Sequence, residues 1–282
     1  MPSNININSV NVDSKDFNSK TNTLVIKDTK DTIYITFNDC AIETLNLEII
    51  NSDVVIIENY IGSIKPFNLN INIDENSKLN RLSILVDVSN SVNIKKSINN
   101  EGFYQSMQID LTDHSVASEE DINLIKSEAY ALVIDGIYAI SNSNKKYITN
   151  LNHYESNCES KAQIFAINND TAHVSIFTDA YIKNKAIGSV TNQEGRIINL
   201  SDKCSGIVLP NLHIDENDVE ASHSCSVGSL NQEHMYYLQT RGLTQLQARN
   251  ILIRGYFNPL LENISIEEIK TSIIKVLDKR IG

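Results

Sequence analysis

Residues 215–255 read DENDVEASHSCSVGSLNQEHMYYLQTRGLTQLQARNILIRG, and within them the hydrophobic pattern changes from strand-like to helical. His223 and Cys225 stand two residues apart near the end of the strand-like part. Residues two apart in a strand share one face, so both side chains are expected to point the same way. Thiolate and imidazole suit zinc, iron or an iron–sulfur cluster. The stretch therefore predicts a metal site where the architecture changes.

The helical part predicts a tail of three helices. Asn231 can cap a helix that runs to about Thr240, with Gly242 in the left-handed conformation beyond its end. Thr244 can cap a second helix, which Pro259 should end or bend. The apolar face predicted for the second helix comprises Ala248, Ile251, Leu252, Gly255 and Tyr256. The third helix is predicted to follow a Ser265–Glu268 capping box and to present Ile266, Ile269, Ile273, Val276 and Leu277 on one face.

The chain before residue 215 repeatedly shows the pattern of β-strands. Residues 67–73, FNLNINI, alternate apolar and polar side chains at period two. Residues 32–37 and 45–49 alternate similarly, and clusters of Asn, Asp, Ser and Lys separate such runs. Two folds remain open, a sandwich or barrel and a β-solenoid. The many short strands, the Asn-rich corners and the shortage of Asn-Gly or Asp-Gly hairpin signals favour the solenoid.

The composition narrows the function classes. A formal net charge of −11 disfavours nucleic-acid binding, which depends on Lys and Arg contacts to phosphates. No apolar run approaches the roughly 20 residues that a membrane helix needs, and the N-terminus is too polar for a secretory signal. We therefore expect a cytoplasmic protein without a membrane span. Its four cysteines are then free thiols or ligands rather than disulfides.

Three segments are expected along the chain. They are a flexible N-terminal lead over residues 1–20, a β core over residues 21–228 and a helical domain over residues 229–282. The helical domain carries seven Lys and Arg against five Asp and Glu, unlike the acidic remainder, and is predicted to be a docking module. The sequence contains no G-x-x-x-x-G-K-[ST], G-x-G-x-x-G, G-x-S-x-G, H-E-x-x-H or C-x-x-C motif, so no enzyme chemistry is indicated.

Cys204 and Glu220 join His223 and Cys225 as candidate metal ligands. Cys204 and Cys225 are 21 residues apart, and a solenoid turn of about 20 residues would stack their thiols on neighbouring rungs, about 4.8 Å apart. The alternative is structural, because a free cysteine is commonly a small buried hydrophobe. That alternative is favoured for Cys40 and Cys158, and a structural role is expected for His114, His173 and His213. Two or three ligands also form an incomplete site, which would need a second chain or another thiol.

The C-terminal region resembles the SufB/SufD family of iron–sulfur cluster assembly proteins. The matching segments are PNLHIDENDVEASHSCSVG (210–228), SLNQEHMYYLQTRGL (229–243) and QARNILIRGYFNPLL (247–261), with weaker similarity over 198–210 and 152–167. The resemblance implies a right-handed parallel β-helix followed by a helical domain. It implies a scaffold on which an iron–sulfur cluster is assembled, with no enzyme activity of its own. Its helices would bind SufC, an ABC-type ATPase, through residues that include Tyr237, Arg241, Gly242, Arg249 and Tyr256.

The resemblance also assigns residues to the site. Cys204, six residues before Pro210, matches the assembly cysteine of SufB-like members, and His223 matches the interface histidine of SufD-like members. One chain would thus carry both halves of a site that heterodimers divide, which favours a homodimer with Cys204 near His223 across a twofold axis. Cys225 stands where the family usually has a small residue, so its role as a ligand is inferred from its position alone.

Two hypotheses follow from the resemblance. In the first, the chain holds the nascent cluster or its precursors on Cys204 and His223, with Cys225 and Glu220 completing the ligands. In the second, it is a SufD-like partner that supports iron entry or complex stability beside a separate SufB-like scaffold. A cysteine desulfurase or another sulfur donor would be a further partner in either case.

Overall fold

Strands wind into two sheets and helices follow them in the computed structural model of the chain, which describes residues 3–7, 17–264 and 266–281. The strands are β1 (Ser3–Ile7), β2 (Phe17–Asn18), β3 (Thr23–Lys27), β4 (Thr32–Asn38), β5 (Thr44–Ile50), β6 (Asp53–Gly62), β7 (Phe67–Ile73), β8 (Lys78–Val88), β9 (Val92–Asn100), β10 (Phe103–Asp110), β11 (Val116–Leu124), β12 (Tyr130–Ala139), β13 (Asn144–His153), β14 (Glu159–Asn168), β15 (His173–Ile182), β16 (Val190–Asn199), β17 (Ser205–Ile214) and β18 (Glu220–Ser229). The helices are α1 (Gln232–Thr240), α2 (Gln245–Glu262) and α3 (Glu267–Ile281).

The chain forms a parallel β-solenoid. Sheet A has the order β1-β4-β6-β8-β10-β12-β14-β16-β18, and sheet B has the order β17-β15-β13-β11-β9-β7-β5-β3-β2. From β3 onward, successive strands alternate between the sheets, so each pair of strands makes one rung. Neighbouring strands pair in parallel in both sheets, apart from the short antiparallel contact of β2 with β3. The solenoid predicted from the strand pattern is confirmed, and the sandwich or barrel alternative is wrong.

The rungs are longer than the 20 residues used to align the cysteines. Asp53 pairs with Lys78, which makes an early rung 25 residues long. At the C-terminal end, Val190 pairs with Glu220 and His173 pairs with Ser205, so the rungs there are 30 to 32 residues long. The expected stacking of Cys204 on Cys225 therefore does not occur, because a 21-residue separation does not match one turn.

Asparagine and aspartate serve the solenoid at its corners and on its surface. Asn22, Asp28, Asp39, Asn51, Asn157 and Asp170 all have positive φ at corners, a conformation that these two residue types tolerate better than most. On the outer face of sheet B, asparagines of neighbouring rungs bond side chain to side chain, as Asn99 donates to Asn72 at 3.0 Å and Asn123 donates to Asn99 at 3.2 Å. Asparagine thus serves both the corners of the solenoid and the outer face of sheet B.

The helices cover the outer face of sheet A. Ile57, Met107, Ile109 and Ile134 of the sheet form one apolar cluster with Ile253, Phe257, Leu260, Ile273 and Leu277 of α2 and α3. Gly136 lies on this outer face, where an added Cβ would stand 2.7 Å from Leu260 Cδ1 and 3.2 Å from Phe257 Cε1. The absence of a side chain at Gly136 therefore lets α2 approach the sheet closely.

Three helix-cap predictions are confirmed. The Asn231 side chain accepts from the His234 N–H, and Thr244 forms a reciprocal capping box with Gln247. Gly242 has a φ of +92° just beyond α1, as its predicted left-handed cap requires. Ser265, of the predicted capping box before α3, lies outside the described residues.

Helix α2 departs from its predicted form in two respects. Of the predicted end or bend at Pro259, the end is wrong, because the helix continues to Glu262 and its last turn packs Leu260 and Leu261 against the sheet. The predicted buried face is correct only in part. Ala248 is buried as predicted, but Ile251 is 46% exposed, and Ile253 and Phe257 are buried instead. Helix α2 packs against sheet A on one side and against α1 on another. Its buried face therefore includes Ile253 and Phe257 rather than Ile251. None of the helices in the described ranges is long and apolar enough to cross a membrane.

Candidate functional site

The terminal rung, formed by β17 and β18, is the free end of the solenoid. Among the described residues, β17 pairs only with β15 and β18 pairs only with β16. Every residue of β18 is exposed, and large apolar side chains such as Leu209 and Val227 are about half exposed. The terminal rung therefore presents two strand edges with unpaired backbone groups, which commonly recruit a further strand.

His223 and Cys225 occupy inward-facing positions of this rung. In register, His223 lies above Gln193 and Cys225 lies above Gly195. Gln193 points into the solenoid, where its side chain accepts from Thr178 Oγ1 of sheet B at 3.3 Å. Gly195 faces inward too, because a Cβ there would collide with Val208 of β17. The side chains of His223 and Cys225 are exposed because none of the described strands forms a rung above them. The prediction that they share a face is confirmed.

Cys204 lies at the corner before β17 and is buried. Its Sγ is 3.0 Å from the Ser201 carbonyl and 3.3 Å from the Asn168 carbonyl, so the thiol donates into the corner. It lines a pocket of about 550 Å³ between the end of sheet A and the first two helices, together with Ser229 and Arg249.

Cys204 and His223 of one chain are far apart. Cys204 neighbours Ser229, at the end of β18, and six residues of extended strand separate Ser229 from His223. At about 3.3 Å per residue, that distance is roughly 20 Å. Glu220 begins β18 and is exposed. Within the described part of the chain, no three His, Cys, Asp or Glu side chains stand close enough to hold one metal ion. The four predicted ligands therefore do not form a site within a single chain.

The interior of the solenoid contains a network of ion pairs that was not predicted from the sequence. Arg81 is fully buried and donates to both carboxylate oxygens of Glu58, at 2.8 and 2.7 Å, and to Tyr104 Oη at 2.8 Å. Burial opposes ionisation of Glu58, but the charge of Arg81 outweighs it and lowers the pKa of that carboxyl. A hint in the sequence is the arginine at an inward position between Leu79 and Leu82 of KLNRLSILV.

The network continues along the solenoid. Lys96 Nζ lies 3.2 Å from Glu120 Oε2 and 2.7 Å from Gln108 Oε1. Lys145 Nζ lies 2.9 Å from Asp110 Oδ1, and burial lowers the pKa of this lysine despite the carboxylate. Three buried cations thus face three carboxylates that they contact directly.

Asp135 is a fourth buried carboxyl in this interior and has no such cation. Its Oδ1 accepts no hydrogen bond from the described residues. Burial raises the pKa of Asp135 from 3.8 to about 7, more than the nearby charge of Lys96 lowers it. The interior charges therefore balance when Asp135 is protonated.

The interior of the solenoid also contains a buried histidine, His153. His153 Nε2 lies 2.7 Å from Ser160 Oγ, which lies 2.8 Å from Thr191 Oγ1. Burial lowers the pKa of His153 to about 4, so its imidazole is neutral at physiological pH. It has no access to solvent, which indicates a packing role. Cys40 and Cys158 are buried too, in agreement with the structural alternative for these thiols.

The predicted partner-binding residues divide into two groups. Tyr237 is 56% exposed, with the Arg241 guanidinium 5.1 Å from its ring centroid, and Gly242 follows at the end of α1. Tyr256 instead packs into the helix–sheet junction, where the Arg196 guanidinium lies 5.0 Å from its ring centroid. Arg249 lines the Cys204 pocket. Only the first group therefore lies on an open surface of the helices.

Comparison with known proteins places the chain in a family. Residues 48–256 match the family model for the SUF system FeS cluster assembly, SufBD core domain. The iron–sulfur cluster assembly protein SufD of Bacillus subtilis is 25% identical over 242 residues, which cover 82% of this chain and 55% of that protein. A SufBD family protein of Pyrococcus horikoshii is 31% identical over 98 residues, covering 32% of this chain and 22% of that protein.

These relatives are longer than the present chain. The chain spans about half the length of the Bacillus subtilis protein, and the match to a SufBD family protein of Mycobacterium bovis, 29% identical over 108 residues, covers 38% of this chain and 27% of that protein. The family model nevertheless covers most of the solenoid, α1 and the greater part of α2. The chain belongs to the SufBD core family of the SUF iron–sulfur cluster assembly system.

Proposed function

We propose that the chain is a scaffold on which iron–sulfur clusters or their precursors are held, at an interface between two copies of itself. The observation that carries the proposal is the terminal rung, which leaves two strand edges unpaired and exposes an imidazole and a thiol on its inward face. The membership of the chain in a family of cluster assembly proteins supports iron and sulfide as the cargo. The scaffold itself catalyses no reaction in this proposal.

The homodimer can be built about a twofold axis that is perpendicular to the sheets and passes through the terminal rung. Such an axis would pair β18 with the partner's β18 and β17 with the partner's β17, both antiparallel, so that each strand edge is satisfied by its own copy. It would also exchange the two corners of the terminal rung. The corner that holds Cys204 then lies next to the first half of the partner's β18, which begins with Glu220 and contains His223. The dimer thus joins ligands that are far apart in one chain.

Each candidate ligand has a role in this scaffold. Cys204 would be the leading thiolate, since sulfur ligands are the usual holders of iron–sulfur clusters. Its hydrogen bonds to two carbonyls must break before it binds iron, so loading requires movement of the corner. Glu220 and His223 from the partner supply oxygen and nitrogen ligands, and Cys225 supplies a second thiol near the axis.

Reconstitution tests the cluster assignment. The chain is incubated without oxygen with ferrous iron and sulfide, and we expect sulfide-to-iron charge-transfer absorption with a strong decrease in Cys204→Ser. Cys158→Ser is the matched control, because Cys158 is buried at another corner and should retain the absorption. Equal absorption of Cys204→Ser and the unmodified chain would show that Cys204 does not hold the cluster.

Docking of a SufC-type ABC ATPase is proposed for the helical domain, residues 229–282, through the exposed group Tyr237, Arg241 and Gly242. Exposed aromatic and arginine side chains are typical anchors of interfaces, and truncation of one commonly costs about 2 kcal/mol or more. We expect Tyr237→Ala and Arg241→Ala each to weaken binding of the ATPase by at least about tenfold, measured by calorimetry.

A matched control exists on the solenoid. Tyr154 is 44% exposed and lies outside the helices, so Tyr154→Ala should leave the affinity unchanged. Tight binding of the ATPase by a chain that carries both helix substitutions would place the docking surface elsewhere.

A SufD-like partner role is the second candidate. Two observations favour it: the relative from Bacillus subtilis is named SufD, and the Cys204 thiol is turned inward. In this case the chain would pair with a separate SufB-like protein and would not hold the cluster itself. Sedimentation of the chain with the ATPase separates the two roles, since a stable complex that contains two copies of this chain and no other scaffold supports the first.

A further inference from the structure

We propose that one long edge of the solenoid binds a basic amphipathic helix of a partner protein. The edge, which we call the acidic edge, is formed by the corners in which the chain passes from sheet B to sheet A. It contains none of the residues assigned to the cluster or to the ATPase, so the inference is independent of the proposed function. From β7 onward the corners of this edge are residues 74–77, 101–102, 125–129, 154–158, 183–189 and 215–219.

The corners of the acidic edge stack on one another. The Glu128 N–H donates to the Ser156 carbonyl at 3.1 Å, and the Asn157 N–H donates to the Ile187 carbonyl at 2.8 Å. These bonds continue the parallel pairing of the strands into the corners. Neighbouring corners are therefore about 4.8 Å apart, and their side chains form rows along the solenoid axis.

A row of exposed apolar side chains follows this edge. Ile125, Tyr154 and Ile187 lie in three consecutive corners and are 38%, 44% and 49% exposed. Beside them Phe103 stacks on Tyr130, with ring centroids 4.9 Å apart. Single exposed apolar residues are ordinary, whereas a contiguous row of them marks an interaction site. The acidic edge therefore has the apolar contacts that a protein partner needs.

The opposite edge provides a comparison. Its corners, from sheet A to sheet B, are residues 63–66, 89–91, 111–115, 140–143, 169–172 and 200–204. Among the described residues, none of the large apolar side chains of these corners is exposed to a similar degree. The opposite corners contain three Asp and Glu against two Lys, whereas the acidic edge contains eight against three. The apolar row thus lies on the more strongly negative of the two edges.

The negative charge of the acidic edge is only partly neutralised within the chain. Lys126 lies 2.9 Å from Glu75, and this pair raises the pKa of the lysine, with smaller effects from Glu101 and Glu155. Within the described part of the chain, Glu101, Glu128 and Glu155 form no ion pair of their own. A partner that covers the apolar row must therefore bring lysine or arginine to these carboxylates. The charge opposes a nucleic acid or an anionic membrane as the occupant.

The spacing of the rungs favours a helix over an extended segment. The turns of an α-helix repeat every 5.4 Å, close to the rung separation of about 4.8 Å. Over the two steps from Ile125 to Ile187, a helix along the solenoid axis falls out of register by only about 1 Å. A strand presents one face every 6.7 Å or so and falls out of register by about 4 Å. Side chains on successive turns of a helix can thus contact Ile125, Tyr154 and Ile187 in order.

The edge also has depth for the side chains of such a helix. A groove of about 530 Å³ lies beside the apolar row, and none of the residues that line it belongs to α1, α2 or α3. Its walls carry both apolar and acidic groups, as a basic amphipathic helix requires. They include Glu75, Phe103, Lys126, Glu128 and Tyr130.

A designed peptide tests the acidic edge. The probe is a labelled helical peptide of about five turns, with leucine on one face and lysine on the other. Its control carries glutamate in place of each lysine. Fluorescence anisotropy should show that the lysine peptide binds the full chain and that the glutamate peptide does not. Equal binding of the two peptides, or no binding of either, would overturn the proposal.

Variants locate the bound peptide. Tyr154→Ala should weaken binding of the lysine peptide by at least about tenfold, as truncation of an interface tyrosine commonly does. Ile61→Ala is the matched control, because Ile61 is 40% exposed at the end of β6, next to the opposite edge. Glu155→Lys should weaken binding about threefold or more, whereas Asp202→Lys, in an opposite corner, should not. Equal effects of the edge variants and their controls would show that the peptide binds through net charge alone.

Two further measurements identify the occupant. A lysine peptide with a central proline cannot form a continuous helix and should bind at least about tenfold more weakly. Equal binding of the proline peptide would show an extended occupant and overturn the helix. In sedimentation without peptide, Tyr154→Ala should associate with itself to the same extent as the native chain. Loss of self-association in this variant would identify a second copy of the chain as the occupant, which would also overturn the proposal.

Discussion

Replacement of Arg81 by methionine is expected to lower the free energy of unfolding by about 3–5 kcal/mol, the cost of breaking a buried ion pair by removing one partner. The guanidinium is fully buried and lies 2.7 Å from Glu58 Oε2 and 3.7 Å from Glu120 Oε1. Methionine occupies similar volume but leaves the carboxylate of Glu58 without its bidentate partner. Without the arginine, burial raises the free energy of the ionised Glu58 carboxyl. Glu58 must then either take up a proton or remain charged in an apolar interior.

Urea denaturation of the native chain and the variant measures this loss. Lys95→Met is the matched control, because the Lys95–Glu119 pair, at 3.0 Å, is solvent-exposed and such pairs contribute about 0–1 kcal/mol. The double variant Arg81→Met/Glu58→Gln should recover part of the loss, since it removes the unpaired charge. If Arg81→Met were no more destabilising than Lys95→Met, the interior network would not contribute to stability.

Replacement of Asp135 by asparagine is expected to stabilise the protein at pH 8 and to have little effect at pH 4. The folded-state pKa of Asp135 is raised from 3.8 to about 7, so between these values the folded state binds more protons than the unfolded state. Stability from this group is therefore highest below about pH 4, falls as the pH rises to about 7 and is constant above it. At 1.36 kcal/mol per pKa unit, the penalty above pH 7 reaches about 4 kcal/mol.

The groups around Asp135 determine the size of this effect. They are Lys96, Glu120 and Arg81, with Gln108 directly beside it in register and Tyr147 on sheet B. Asparagine resembles the protonated acid in shape and carries no charge at any pH. The difference in unfolding free energy between Asp135→Asn and the native chain should thus increase from pH 4 to pH 7. Asp202→Asn, which replaces a carboxyl at an exposed corner, is the control for the substitution itself. A flat difference for Asp135→Asn would show that the carboxyl is ionised throughout.

The strands and the helix caps could be predicted from sequence because their signals are local. Period-two alternation reports which side of a strand is buried, and a side-chain oxygen before a helix reports its start. The buried face of α2 could not be predicted in the same way. Ile251 and Ile253 are equally apolar, and only the positions of sheet A and α1 decide that Ile253 is buried.

The candidate site could likewise be predicted from sequence only in part. The choice of His223 and Cys225 as a pair on one face follows from their spacing in a strand. The length of a rung does not follow from the strand pattern, because corners absorb different numbers of residues. Consequently the predicted stacking of Cys204 on Cys225 was wrong, although the fold was correct. The ion network was missed because charged residues at inward positions interrupt the very pattern from which burial is inferred.

The sequence by itself determined a β core followed by a helical tail, since alternation and capping act between residues close along the chain, and its turn signals and family resemblance favoured the solenoid over the sandwich. Only the tertiary structure decided where the candidate ligands lie relative to one another. It places the Cys204 thiol in a corner roughly 20 Å from His223, and it leaves His223 and Cys225 on the free inward face of the last rung. The physical reason is that the partners of an inward side chain are the residues stacked on it in the rungs above and below. Which residues these are depends on the number of residues in each rung.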